Sequence, residues 1–161
     1  IFLFCIKLSE FNEKIDGLIY GAMAGLGFAL LEGFSYLAAA IAEAGSGPEL
    51  IYSDLFLTIL GRWTAIPAHV FFGLIMGSFF TYAIFYKVNK YIYLALAILV
   101  PTILHGTYDY ILMTPFNVIT GGLIFTFLYA GMLAWSVALF IHYRGLQRLK
   151  AAEPERKYNL F

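Results

Sequence analysis

LIYGAMAGLGFALLEGFSYLAAAI, Leu18 to Ile41, is 24 residues long and carries a single formal charge, Glu32. About 20 such residues cross a ~30 Å hydrocarbon core as a helix, so the segment predicts a transmembrane span. Three more runs of the same kind follow: Trp63 to Tyr86, Tyr91 to Met113 and Asn117 to Tyr143. Arg62, Lys87, Lys90 and Arg144 bound them. Ile1 to Ile6 is apolar but too short to cross, and reads as the end of a truncated N-terminal span. Leu50 to Leu60 is also too short and carries Asp54, which predicts a short interfacial or re-entrant segment. The expected fold is all-α, a polytopic transmembrane helix bundle of four full spans. Residues 1–143 form its single membrane-embedded domain, a fragment of a longer one, and residues 144–161 a basic cytoplasmic tail.

Composition agrees. Of 161 residues 61% are hydrophobic and 12% charged, against about 45–50% and ~25% in soluble domains. With a mean hydropathy of +0.81, most of the chain belongs in lipid, where helices satisfy their own backbone. The net charge is zero with no basic face, so nucleic acid is excluded as a partner. Cys5 is the only cysteine and cannot close a disulfide within the chain. Lys7, Lys14, Lys87, Lys90, Arg144, Arg148, Lys150, Arg156 and Lys157 flank the spans on one side and Arg62 stands alone on the other. The side rich in Lys and Arg is expected to be cytoplasmic, which puts the C-terminus there. Trp63, Tyr86, Tyr91 and Tyr93 suit an aromatic belt, and His142 an interfacial anchor.

Ionisable side chains at membrane depth are costly and mark function by default. Four stand inside the spans: Glu32, His69, His105 and Asp109. At a rise of ~1.5 Å per residue, Glu32 lies about 24 Å from Asp16, and His105 and Asp109 about 22 and 28 Å beyond Lys90. His69 enters from the opposite side, about 9 Å below Trp63. All four therefore converge on one layer near the outer face. Helical spacing also puts each on a packing side. Gly21, Gly25, Phe28, Glu32 and Tyr36 form one stripe, His69, Gly73 and Gly77 a second, and Pro101, His105 and Asp109 a third. Glycines so spaced let backbones approach closely, so they are read as packing devices.

A carboxylate, two imidazoles and an Asp shielded from lipid can activate water. Either Glu serves as general base beside His, or His and carboxylates hold a metal. Hydrolysis is the reaction class both imply. No H-E-x-x-H motif is present, so a site for a divalent metal such as zinc would be assembled across helices from His69, His105 and Glu32.

At these residues the chain resembles the PrsW family of intramembrane proteases, distant relatives of the CAAX prenyl endopeptidase and Abi group. The resemblance runs in colinear order through FNEKIDGLIYGAMAGLGFALLEGFSYL from Phe11, RWTAIPAHVFFGLIMG and ILHGTYDYIL. Glu32 takes the place of the Glu after the family's G-x-G-F run, with Gly33 where Asn is usual. His69 matches the His before a glycine, and His105 and Asp109 the final His-Gly-x-x-Asp. The family's Glu-Glu-x-x-Lys box would fall immediately upstream of Ile1. The resemblance implies catalytic roles for Glu32, His69, His105 and Asp109; one helical turn after His105, Asp109 would orient that ring or equally point at a neighbouring span. It also implies a bacterial or archaeal cell membrane and site-one cleavage, near the outer leaflet, of a single-pass membrane protein of the anti-sigma factor type. Two other classes fit the same residues: a haem or quinone protein with His69 and His105 as axial ligands, and an inactive scaffold or a transporter using Glu32 as its proton site.

Overall fold

The computed structural model describes residues 10–43, 48–86, 89–114 and 118–152. Among them the chain forms four helices, α1 (Asp16–Glu43), α2 (Pro48–Phe85), α3 (Lys90–Met113) and α4 (Val118–Ala152), and no strand. Each contains a stretch long and apolar enough to cross a membrane. The truncated span expected at Ile1 to Ile6 lies outside the described residues.

One boundary differs from expectation. Leu50 to Leu60 is no separate interfacial or re-entrant element, because its residues are turns of α2, which runs unbroken for 38 residues and contains Pro67. Proline removes one helical hydrogen bond, and the helix continues across that gap. At ~1.5 Å per residue α2 is about 57 Å long, well beyond a ~30 Å core. α4 continues to Ala152, so residues 144–152 of the expected tail are helical; residues 153–161 lie outside the described residues.

The second helix is the hub. Of its membrane-length stretch 56% is buried, against 11%, 17% and 11% for the other three, and α1, α3 and α4 each pack against it. The α1/α2 seam is backbone on backbone. A Cβ on Gly21 would overlap the Gly73 carbonyl and lie 2.9 Å from the Gly77 Cα, and one on Gly25 would overlap the His69 carbonyl. The glycine stripes thus fix the register that brings Glu32 beside His69, two turns past Gly25. On the other flank Ala68 and Phe72 of α2 pack with Tyr108 of α3 and Met132 of α4. Asn89 starts α3, its side-chain Oδ1 accepting from the Tyr91 N–H at 3.2 Å.

Fully buried Thr81 donates from Oγ1 to the Lys14 carbonyl at 3.0 Å, tying the entry of α1 to α2. Thr81→Val keeps the shape and removes the donor. It is expected to cost about 1 kcal/mol, read as a small drop in the thermal unfolding midpoint in detergent.

Candidate active site

α1, α2 and α3 deliver four polar groups to the same spot, two of them from α3. Glu32 Oε2 lies 3.4 Å from His69 Nε2, and its Oε1 3.5 Å from His105 Nε2. The two imidazoles meet Nε2 to Nε2 at 3.1 Å. Asp109 Oδ2 stands 3.5 Å from that same His105 nitrogen. All four sequence candidates are therefore brought together. The Asp109 carboxylate meets the Nε2 edge of the His105 ring, the edge that also faces Glu32 and His69.

The protonation of His69 follows from its other contact. His69 Nδ1 sits 2.7 Å from the Ala65 carbonyl, which can only accept, so Nδ1 carries the hydrogen. In the neutral ring this leaves a lone pair on Nε2, pointed at His105 and at the Glu32 carboxylate. His69 is 3% exposed, and it cannot turn without losing a buried hydrogen bond.

Aromatic rings line the pair. Phe28 stacks on His69 at 5.3 Å and meets His105 edge-on at 5.6 Å. Phe72 stands edge-on to His69 at 5.7 Å and to His105 at 5.5 Å. The sequence reading placed Phe28 on the Glu32 stripe without a role and passed over Phe72. Their positions, four before Glu32 and three after His69, are the helical spacings that could have found both.

The donors suit a divalent ion. Glu32, His69 and His105 each offer one ligand atom, and these lie within 4.8 Å of one another. Two His and one Glu is a donor set of catalytic zinc, and tetrahedral ligands at ~2.05 Å from the ion lie about 3.3 Å apart. The two Nε2 atoms are 3.1 Å apart, and Glu32 meets His69 through Oε2 at 3.4 Å and His105 through Oε1 at 3.5 Å, so its carboxylate offers one oxygen to each ring.

The profile of the PrsW family intramembrane metalloprotease matches residues 1–148. The chain belongs to that family. It is similar to Protease PrsW of Clostridioides difficile (strain 630), 35% identical over 114 residues that make up 70% of this chain and 44% of the relative. Protease PrsW of Geobacillus kaustophilus (strain HTA426) is 34% identical over 113 residues, again 70% and 44%. Protease PrsW of Bacillus subtilis (strain 168) is 35% identical over 105 residues, 65% and 42%. The chain thus spans less than half the length of these PrsW relatives. No solved structure matches it. Family membership and four membrane-length helices make it an integral membrane protein.

Proposed function

We propose that this PrsW-family chain carries the active site of an intramembrane peptidase in which Glu32, His69 and His105 hold a divalent metal, zinc fitting the donor set best, and Asp109 handles the proton. What supports the reading is that Glu32, His69 and His105 each offer one ligand atom, all within 4.8 Å of one another, a donor set of catalytic zinc. A metal there supplies Lewis acidity. Locked by the Ala65 carbonyl, His69 offers Nε2 without reorganisation, while the Glu32 carboxylate spans both imidazoles. Asp109, one-third exposed and beside His105 Nε2, takes a proton from the water that adds to the peptide carbonyl. It returns that proton to the amine as the C–N bond breaks. Phe28 and Phe72 keep bulk water off the imidazole faces.

The substrate we assign is a single-pass, membrane-anchored regulator of the anti-sigma type, cut by site-one cleavage near the outer leaflet, with the C-terminus of this chain in the cytoplasm. The excess of Lys and Arg at the Asp16, Phe85 and Lys90 end supports that orientation. So does the position of Glu32, about 24 Å along α1 from Asp16.

The test is reversible metal removal from the full-length protein in liposomes with a single-pass reporter. Dialysis against a chelator should stop cleavage, and one equivalent of zinc per chain should restore it. Cleavage that persists with less than a tenth of an equivalent of any divalent metal would refute the metal reading. Asp109→Asn separates the two roles: it should keep about one zinc per chain and lower kcat by about 10²–10⁴-fold.

A further inference from the structure

Beside the Glu32–His69–His105 cluster lies a cavity of about 590 Å³ that shares His69 and His105 as its end wall. Its other lining comes from residues before Glu32 on α1, after His69 on α2 and before His105 on α3. All three directions lead toward the end of the bundle where α1 starts, α2 ends and α3 starts. The cavity therefore reaches back from the cluster through the middle of the spans, for about 12 Å along α3 from His105 to Ala97. It exists because α1 and α3 each pack on α2 but make no extended packing with each other.

We infer that this cleft is the specificity pocket of the peptidase, taking the three or four substrate residues on the membrane side of the cleaved bond in extended form and selecting small or slender apolar side chains. The inference rests on the peptidase reading above. Twelve ångströms holds three to four extended residues at ~3.3 Å each. A helical substrate would instead keep its carbonyls engaged along its own axis. The floor is small, with Gly25, Gly73 and Ala97, and Met76 closes one wall. Thr102 brings a hydroxyl, but its Oγ1 already donates to the Ile98 carbonyl at 2.7 Å, so nothing there calls for a polar side chain. Pro101, on the same wall, has no N–H to offer a substrate carbonyl.

The experiment uses the full-length protein in liposomes and reporters carrying Ala, Leu, Trp or Asp at the second and third residues on the membrane side of the cut. Ala and Leu reporters should be cleaved at least tenfold faster, by kcat/KM, than Trp or Asp reporters. Met76→Ala should raise the Trp-to-Ala ratio about tenfold, and Ala24→Phe should lower the Leu-to-Ala ratio. In a Glu32→Gln background, a photo-crosslinking phenylalanine derivative replacing Ile98, which is exposed, should capture the reporter through its membrane-side residues. Equal cleavage of all reporters, unchanged ratios in both variants, or crosslinks only to lipid or to residues beyond the cut would each overturn the pocket. Crosslinking through membrane-side residues with no cleavage of any reporter by the unmodified protein would uphold the cleft as a binding site and overturn the peptidase reading instead.

Discussion

His69→Ala in the full-length protein is expected to slow cleavage of a single-pass reporter by about 10³-fold or more and to drop bound zinc well below one per chain. The size follows from what the imidazole supplies. Its lone pair is fixed by a buried hydrogen bond at Nδ1, and losing Lewis acidity forfeits several kcal/mol of transition-state stabilisation, at 1.36 kcal/mol per tenfold in rate. Glu32→Gln keeps the volume and removes the charge between the two imidazoles, so it should also lose metal. A folding defect is set apart by size-exclusion profile and thermal midpoint, both of which Glu32→Gln should hardly move. Undiminished cleavage by either variant would remove these residues from the mechanism.

Gly73→Val should abolish the folded bundle. A Cβ at Gly73 overlaps the Gly21 carbonyl and lies 2.8 Å from the Gly21 carbonyl carbon and 3.2 Å from the Gly25 Cα. The obstacle is backbone on both sides, so no rotamer relieves it and the helices must separate. Overpacking costs about 1–3 kcal/mol where side chains can adjust; here the loss should exceed that range and appear as aggregation or absence of a monodisperse species. Gly27, on the same helix, has nothing within 4 Å of a built Cβ. Gly27→Ala should therefore be neutral or stabilising by up to about 1 kcal/mol through helix propensity. Equal thermal midpoints for the two variants would show that the seam does not hold the fold together.

Much of this was legible in the sequence because the membrane makes the code simple. Apolar runs longer than 20 residues gave the spans, and the Gly21/Gly25 and Gly73/Gly77 spacings gave the faces that meet. Depth along each helix brought Glu32, His69 and His105 to one layer, since rise per residue is nearly constant. The length of α2 was hidden because Arg62 and the charge of Asp54 look like the edges of a span, and a helix accommodates both. The approach of Asp109 to Nε2 was hidden too: spacing says which residues share a side and is silent on which ring nitrogen they meet. Nor did periodicity reveal that Phe72 belongs both to the packed core with Tyr108 and to the wall around the imidazoles.

The open seam between α1 and α3 has a mechanical corollary. Glu32 rides on one lip and His105 on the other, with His69 fixed to the hub beneath them. Spreading the lips to let a chain slide in sideways necessarily stretches Glu32 away from His105, and drawing them together around it restores the triangle. In the peptidase proposed above, opening this seam to a substrate and assembling the three donors would therefore oppose one another.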